Sequence, residues 1–372
     1  MRIVVVGGYA PSLLTFRGPL LAEMVRRGHD VVAMGAEGSP SVSARLDAIG
    51  VRFEEVPFVR AGLKAGQDAR AFAHLLVRLR QLRPDVVLSY TIKPVIYGSL
   101  AARLVGVPRR VALITGLGFA FSTQASSARL RLVRTLAVRL LRLGLQQCDL
   151  VVFQNHDDEA ELLRHALVPS SARRAVVRGS GVDLVHYAPA SLPPRPLRFL
   201  FIGRLLADKG IREFIEAARA MKRWAPQVRF TVVGEVDANP ASVTRSELDT
   251  WIREGLIDYV GFADDVRPHI AACHVLVLPS YREGTPRAVL EAMSMQRAVI
   301  TTDAPGCRET VVHDESGILV PVRDPAAVLA AMKRTWDEPR LVETLAAAAR
   351  ARAVALYGAN AVAETMLTTM AL

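Results

Sequence analysis

The strongest constraint on the fold is an alternation of short β-branched segments with longer amphipathic segments, which runs through the chain twice. The first series of predicted strands comprises Ile3–Val6, Asp30–Met34, Val51–Val56, Val86–Ser89, Val111–Ile114 and Leu150–Phe153. The second comprises Arg198–Ile202, Arg229–Val233, Tyr259–Phe262, Val275–Pro279, Ala298–Thr302 and Ile318–Val320. Apolar strands that alternate with helices are typical of a parallel sheet covered on both faces. The sequence therefore predicts an α/β chain with two doubly wound, Rossmann-like domains.

A proline-rich segment separates the two series. Ser191–Arg198 contains three prolines in eight residues, a composition that favours an extended linker. The chain has 372 residues, more than a single hydrophobic core usually serves. We therefore predict an N-terminal domain over residues 1–190 and a C-terminal domain over 191–372, with the last helix a candidate for packing back on the first domain. The domains are expected to face a central cleft, with ligands bound beyond the carboxyl ends of the strands.

The charge balance indicates an anionic partner. The chain has 47 Lys and Arg against 36 Asp and Glu, a net charge of +11, which suits nucleic acid, an anionic membrane or a phosphorylated substrate. Aromatic residues make up only 6% and do not interleave with the arginines, which disfavours nucleic acid. Three widely spaced cysteines disfavour a disulfide framework and indicate a reducing, cytosolic compartment. We expect neither a signal peptide nor a membrane-spanning segment.

One predicted helix concentrates the basic excess. Ala128–Gln147 carries five arginines among many leucines. A basic amphipathic helix of this kind favours an anionic lipid surface, and the alternative is an ordinary domain helix with a solvated arginine face.

Two glycine-containing turns are candidate phosphate sites. Gly7 and Gly8 follow the first strand, where backbone amides and a helix start could approach an anion; the alternative is a tight turn. Gly203–Gly210 follows the first strand of the second series and contains Arg204 and Lys209, two cations that could neutralise a diphosphate. Neither turn has the spacing of a dinucleotide fingerprint or a P-loop.

The segment Pro279–Ala292 combines a loop with a helix start. Thr285 and Pro286 predict an N-cap followed by proline in the first helical turn, which would aim the amides of Arg287 and Ala288 at a ligand. Glu283 and Glu291 could accept hydrogen bonds from sugar hydroxyls. The alternative makes them a turn residue and a surface helix residue.

A third set lies at the carboxyl ends of first-domain strands. Lys93 could bind an acceptor diphosphate as a point charge, or it could be a solvated loop residue. Thr115 and Gly116 follow another strand and could line a sugar pocket.

These motifs together resemble retaining glycosyltransferases of family 4 with the GT-B fold. The resemblance rests on EGTPRAVLE, in which Glu283 precedes Glu291 by eight positions, and on the upstream GRLLADKG. Within the family, Thr91–Phe121 resembles transferases that extend undecaprenyl-diphosphate-linked oligosaccharides, and Gly234–Val243 resembles N-acetylgalactosaminyl-type members.

The resemblance implies roles for the candidate residues. Arg204 and Lys209 would bind the donor diphosphate, Glu291 the ribose, and Glu283 the donor sugar. The amides around Gly284, Thr285, Pro286 and Arg287 would assist Glu283, and Gly7 and Gly8 would close over the diphosphate. The implied reaction is transfer of an N-acetylhexosamine from a UDP-sugar to a lipid-linked acceptor with retention, by an enzyme on the cytoplasmic side of the inner membrane. Neither a cofactor nor a metal is expected, since no paired-aspartate or histidine ligand motif is present.

Three alternatives remain from the sequence. The donor could be GDP-mannose or a UDP-hexuronate. A nonhydrolysing UDP-sugar epimerase shares the architecture, but it needs acid–base residues beyond Glu283. A non-catalytic nucleotide-sugar-binding subunit is the third, and the intact set of Arg204, Lys209, Glu283 and Glu291 argues against it.

Overall fold

The computed structural model describes residues 1–59, 64–117, 128–237, 239 and 241–372. The chain forms two compact units. The first contains Met1–Ser180 together with Ala359–Leu372, and the second contains Gly181–Gly358.

The first unit is built on a parallel sheet of seven strands in the order β3-β2-β1-β4-β5-β6-β7. The strands are β1 (Arg2–Val6), β2 (Asp30–Gly35), β3 (Arg52–Glu55), β4 (Val86–Tyr90), β5 (Arg109–Ile114), β6 (Leu150–Phe153) and β7 (Arg173–Val176). Strand β4 is buried along its whole length. Burial of both faces explains why the inner strands are continuous apolar runs instead of alternating patterns.

Helices cover both faces of this sheet. They are α1 (Pro11–Thr15), α2 (Gly18–Arg26), α3 (Pro40–Asp47), α4 (Ala65–Leu82), α5 (Ile92–Leu104), α6 (Ala128–Leu145), α7 (His156–Arg164) and α14 (Ala359–Met370). The C-terminal helix α14 shares a core with α2, in which Met366 and Leu367 are buried with Leu21 and Met24. This packing makes the end of the chain part of the first unit.

The second unit has a parallel sheet of six strands in the order β10-β9-β8-β11-β12-β13. The strands are β8 (Arg198–Ile202), β9 (Arg229–Val233), β10 (Asp258–Gly261), β11 (Val275–Leu278), β12 (Ala298–Thr302) and β13 (Ile318–Val320). The helices are α8 (Ile211–Trp224), α9 (Arg245–Arg253), α10 (Arg267–Ala271), α11 (Arg287–Ser294), α12 (Pro325–Asp337) and α13 (Pro339–Leu356). The predicted α/β class and the two Rossmann-like sheets are confirmed.

The division between the units differs from the predicted boundary near residue 190. The chain divides between Ser180 and Gly181, and again between Gly358 and Ala359. Residues 181–190 belong to the second unit because that unit satisfies their backbone: the Val182 amide donates to the Tyr357 carbonyl at 2.7 Å. The prolines predicted only the extended segment that follows. They could not predict this hydrogen bond, which joins residues far apart in the sequence.

Arg297 anchors the segment before β8 to the second unit. Its side chain is fully buried, and its guanidinium donates to six backbone carbonyls, those of Ile270, Ala190, Met295, Gln296, Ser191 and Ala271. A guanidinium offers five N–H groups in a fixed plane, so it can serve several carbonyls that a linker leaves without partners.

Among the described residues, no helix is both long and apolar enough to cross a membrane.

We expect Arg297→Ala to destabilise the second unit by about 3 kcal/mol or more, because it leaves a cavity and several buried carbonyls without donors. Urea unfolding followed by circular dichroism measures the loss. Arg223→Ala on the exposed side of α8 is the control and should change stability by no more than about 0.5 kcal/mol. Equal stability of the two variants would contradict the anchoring role.

Candidate functional site

The site in the second unit lies where two adjacent strands end. Strands β8 and β11 pair in parallel, with Phe199 opposite Val275 and Leu200 opposite Leu276. The strand order runs outward in opposite directions from this pair, so the pair is a topological switch point, where ligands of doubly wound sheets bind. The loop Gly203–Gly210 leaves the end of β8, and the loop Pro279–Pro286 leaves the end of β11.

The two loops meet through an ion pair between Lys209 and Glu283. Lys209 ends a short 3₁₀ turn, and its Nζ contacts Oε1 of Glu283. Ser280 donates its hydroxyl to the same oxygen at 2.8 Å. The side chains of Lys209 and Glu283 are 24% and 12% exposed. Two of the three residues predicted to act in catalysis are therefore in direct contact.

Tyr281, in the same loop as Glu283, contacts both the Lys209 loop and α8. Its amide donates to the Asp208 carbonyl at 2.9 Å, and its hydroxyl donates to Oε1 of Glu213 on α8 at 2.5 Å. Burial, followed by the Glu213 carboxylate, raises the pKa of the Tyr281 phenol, so the phenol stays protonated as a donor. These contacts hold the Glu283 loop against the start of α8.

Two glycines at positive φ allow these loops to pack closely. At Gly210, φ is +74° and a Cβ would lie 2.1 Å from the Pro279 carbonyl oxygen. At Gly306, φ is +78° and a Cβ would lie 2.2 Å from the Glu283 carbonyl oxygen. The Glu283 amide also donates to the Pro305 carbonyl at 2.9 Å. The backbone that carries Glu283 is therefore supported on both sides by residues that cannot be larger.

Arg204, the third predicted catalytic residue, is paired with a carboxylate that the sequence reasoning missed. Its Nη1 lies 3.0 Å from Oδ2 of Asp237, and the two side chains are 54% and 25% exposed. Asp237 lies in the Gly234–Val243 segment, which is tied to the Arg204 loop by the hydrogen bond from the Ala207 amide to the Ala241 carbonyl at 2.8 Å. The Arg204 side chain is thus half exposed, and Asp237 fixes its position.

The start of α11 differs in detail from the prediction. Pro286, not Thr285, occupies the N-cap position, and no side chain caps the helix. The extended backbone of Pro286 (ψ 108°) ends the loop and makes Arg287 the first helical residue. The first amides of a helix lack partners within the helix, so this end still suits an electron-rich group.

Glu291 lies one turn into α11 and is buried, with 6% of the residue exposed. Arg287 donates from Nε to its Oε1 at 2.6 Å. Burial raises the pKa of Glu291, and Arg287 and the hydroxyl of Tyr187 oppose that rise. Burial and the nearby Glu291 raise the pKa of Tyr187 to about 12. Glu291 is thus a buried carboxyl held by two donors, not the surface helix residue of the alternative interpretation.

The glycines after β1 pack tightly on the end of β4. A Cβ on Gly7 would lie 2.3 Å from the Tyr90 hydroxyl oxygen, and one on Gly8 would lie 2.9 Å from Oγ1 of Thr91. The Gly7 amide donates to the Met34 carbonyl at 2.8 Å, so it is engaged within the fold and does not support the predicted anion contact. The role of Gly8 stays a prediction.

Lys93 at the start of α5 is neutralised by a buried partner. Its Nζ lies 2.7 Å from Oδ1 of Asp68, with side-chain exposures of 15% and 5%. The Asp68 carboxylate also accepts the Lys64 amide at 3.1 Å. Lys93 is therefore a largely buried, ion-paired helix residue and not the solvated loop residue of the alternative interpretation, and its binding of an acceptor diphosphate stays a prediction. Thr115 and Gly116 are half-buried after β5, and their place in a sugar pocket stays a prediction.

Sequence reasoning missed the residues that hold the predicted cations and carboxylates. These residues are Asp237, Asp68 and Ser280, which contact Arg204, Lys93 and Glu283. No sequence motif marks them as partners, and only the folded structure shows that they lie nearby. In the described ranges, no group of three or more His, Cys, Asp or Glu side chains is arranged to hold a metal ion.

Family models match both units. The model described as "Glycosyl transferase 4-like domain" matches residues 15–181, and the model described as "Glycosyl transferases group 1" matches residues 196–338. A relative from Campylobacter jejuni, an N,N'-diacetylbacillosaminyl-diphospho-undecaprenol alpha-1,3-N-acetylgalactosaminyltransferase, is 26% identical, covering 99% of this chain and 97% of the relative. An Escherichia coli UDP-Gal:alpha-D-GlcNAc-diphosphoundecaprenol alpha-1,3-galactosyltransferase is 26% identical over 83% of this chain and 80% of its own.

Solved structures support the same fold. A sucrose-phosphate synthase from Thermosynechococcus elongatus superposes with a TM-score of 0.82 at 20% identity, covering 99% of this chain and 98% of that one. Anabaena HepE in complex with UDP-glucose gives a TM-score of 0.78 at 18% identity, covering 100% and 99%. At these identities the likeness concerns the architecture.

We expect Gly306→Ala to abolish most sugar transfer while leaving the protein folded, because the new Cβ displaces the backbone that carries Glu283. Gly106→Ala is a matched control: Gly106 has the same φ of +78° but nothing within 4 Å of its Cβ position. Both variants carry a backbone strain of about 1 kcal/mol, and only Gly306→Ala adds the clash with the Glu283 loop. Equal activities of the two variants would therefore show that transfer does not depend on this close packing. A transfer assay with thermal unfolding of each variant makes the comparison.

Proposed function

Because the chain belongs to family 4 of the glycosyltransferases, with two Rossmann-like units, we propose that it transfers an N-acetylhexosamine from a UDP-sugar to a lipid-diphosphate-linked oligosaccharide, with retention of the anomeric configuration. The observation that carries this proposal is the Lys209–Glu283 contact at the switch point of the second sheet. It sets a cation for the donor diphosphate beside a carboxylate for the donor sugar.

Departure of a nucleoside diphosphate requires positive charge at the breaking bond. Lys209 and Arg204 supply it from one loop. Arg204 is half exposed and paired with a partly exposed carboxylate, and such surface pairs contribute only ~0–1 kcal/mol. Exchange of Asp237 for a diphosphate therefore costs little, and the phosphate binds the guanidinium through two parallel hydrogen bonds. Because these cations neutralise the leaving group, we propose turnover without a divalent metal.

Glu283 and the start of α11 would hold the sugar. Ser280 and Lys209 both bind Oε1 of Glu283, which orients the carboxylate while it accepts hydrogen bonds from sugar hydroxyls. Glu291 would bind the ribose, because its buried carboxyl is already oriented by Arg287. The preference for an N-acetylhexosamine draws support from the Campylobacter relative, whose name specifies N-acetylgalactosaminyl transfer.

The proposed chemical step needs no protein nucleophile. The bond between the anomeric carbon and the β-phosphate oxygen breaks, and the acceptor oxygen forms a bond to the anomeric carbon on the same face. The proton of the acceptor hydroxyl moves to the departing phosphate oxygen, so atoms and charge balance. Lys209 and Arg204 stabilise the phosphate as its negative charge grows.

A donor screen with the Glu283→Gln variant tests the reaction. Purified protein is mixed with a diphosphate-linked acceptor and single UDP- or GDP-sugars, with and without EDTA, and nucleotide release and the anomeric product are measured. We expect one UDP-N-acetylhexosamine to react, with retention and regardless of EDTA. Glu283→Gln should lower kcat about 100-fold or more with little change in KM. Glu216→Gln, an exposed carboxylate on α8, should leave both constants unchanged.

Other outcomes of this screen would favour a different donor, a different function or a different mechanism. Release only from GDP-mannose or a UDP-hexuronate would replace the proposed donor while keeping the mechanism. Donor binding without transfer, weakened only slightly in Glu283→Gln, would favour a nucleotide-sugar-binding subunit. Inversion of the anomeric centre would exclude the proposed step.

We also propose that α6 lies on the anionic cytoplasmic face of the inner membrane. Leu132, Leu136 and Leu143 are 70%, 47% and 49% exposed and fall within about 40° of one another at 100° per residue. The exposed arginines of this helix lie within or beside the stripe: Arg131, Arg139 and Arg142. Apolar side chains would enter the lipid while the guanidinium groups reach anionic headgroups. Such a location suits an enzyme with a lipid-linked acceptor.

Vesicle sedimentation tests this surface. We expect binding to vesicles that contain phosphatidylglycerol and weak binding to phosphatidylcholine alone. The triple change of Leu132, Leu136 and Leu143 to serine should weaken partitioning about tenfold or more. Val354→Ser on α13, which removes an apolar side chain that is 51% exposed, is the matched control. Equal binding of the two variants, or no preference for anionic lipid, would exclude α6 as the membrane surface.

A further inference from the structure

Arg17 is a buried cation at the carboxyl edge of the first sheet. It lies between α1 and α2, only 4% exposed, and its Cζ sits 5.0 Å from the ring centroid of Tyr90, at the end of β4. The Tyr90 hydroxyl bonds to that of Ser12 at 2.7 Å and lies against Gly7. The Tyr90 ring therefore joins Arg17 to the turn after β1.

The guanidinium of Arg17 is poorly satisfied for a buried group. Its Nη1 lies 3.4 Å from Oγ of Ser180, a long contact, and its Nε is buried with no hydrogen-bond partner. Within the described part of the chain, no carboxylate forms an ion pair with it. Burial lowers the pKa of Arg17 to about 10, so the group still carries its charge at neutral pH.

Arg297 shows what a structural buried arginine looks like in this fold. It is fully buried and donates to carbonyls at distances from 2.8 Å to 3.2 Å. Arg17 is almost as deeply buried, yet offers five N–H groups for one long contact. Keeping an unpaired charge inside a protein is strongly unfavourable. A role in packing alone does not explain why Arg17 is a cation.

The surroundings of Arg17 restrict how a partner reaches it. A cavity beside it, lined by apolar side chains that include Leu20, Leu113 and Met366, has a volume of about 10 Å³. That volume accepts a single water at most and no larger anion. Ser180 lines the same cavity and is partly exposed, so an anion larger than water can approach the guanidinium only from the solvent side of Ser180.

We propose that Arg17, together with the hydroxyl of Ser180, binds a phosphate group of a diphosphate substrate at the carboxyl edge of the first sheet. The planar guanidinium donates to two phosphate oxygens, and the hydroxyl donates to a third. The inference rests on the proposed function, in which both substrates carry a diphosphate. The shared chemistry is the phosphate group, and its source is either the lipid-linked acceptor or the nucleotide donor.

The test uses a background in which the other diphosphate site is disabled, Arg204→Ala with Lys209→Ala. Three single changes are made in this background. Arg17→Met keeps a similar length and removes the charge, and Arg17→Lys keeps the charge. The control is Arg45→Met, at an exposed arginine of α3. Calorimetric titration measures binding of two probes, UDP and farnesyl diphosphate. Thermal unfolding without ligand measures stability.

We expect Arg17→Met to unfold at the same temperature as its parent or higher, because an unpaired buried charge is replaced by an apolar chain. Its affinity for one probe should fall about 10- to 100-fold, with part of the loss restored in Arg17→Lys and none seen in Arg45→Met. Loss for farnesyl diphosphate identifies the acceptor as the source, and loss for UDP identifies the donor.

Two results overturn the proposal. One is unchanged affinity of Arg17→Met for both probes, and the other is a lowered unfolding temperature without a selective loss of binding, which marks a structural residue. These readouts measure binding, so they are independent of sugar transfer. A protein that transfers no sugar refutes the proposed function, whereas a working transferase with unchanged binding in Arg17→Met refutes the Arg17 site alone.

Discussion

The parallel pairing of β8 with β11 is the contact on which the site in the second unit depends. Residues far apart in the chain, such as Phe199 and Val275, become neighbours in this pair, and their strands end at the same edge. The loops that follow are then close enough for Lys209 to meet Glu283. A break in this pairing would separate the two groups whatever their individual conformations, so the buried apolar core of the sheet sets the geometry of the polar edge.

The cations predicted to bind phosphate are each paired with a carboxylate, but the pairs differ in how readily they can exchange. The Arg204–Asp237 pair is largely in solvent, with exposures of 54% and 25%, whereas Lys93–Asp68 has exposures of 15% and 5%. Exposed pairs contribute little to stability, while breaking a buried pair leaves an uncompensated charge. Arg204 is therefore suited to release its partner for a ligand. Lys93 is better suited to hold α5 against α4.

Much of the fold could be predicted because buried parallel strands leave continuous apolar runs, and β8, β9, β12 and β13 have the predicted bounds. Strand β7 was not predicted, since its sequence RRAV lies at a sheet edge and carries two arginines. Arg204, Lys209 and Glu283 could be proposed for the site because they follow strands within short glycine-containing loops, and the structure brings Lys209 and Glu283 into contact. Asp237 and Asp68 could not be, because they contact residues 33 and 25 positions away and no local pattern encodes that proximity.

The pairing of charges at the site also bears on where the net charge of +11 acts. Lys209, Arg204 and Arg287 are each balanced by a carboxylate, so these cations add nothing to the surplus. Exposed arginines such as those of α6, which has no acidic residue in its sequence, carry the surplus instead. A field from unpaired charge acts over about 8 Å at physiological salt and attracts extended anionic surfaces, whereas paired cations act only on a ligand that displaces their partner. If the proposed function holds, attraction to an anionic surface and recognition of a diphosphate therefore depend on different arginines.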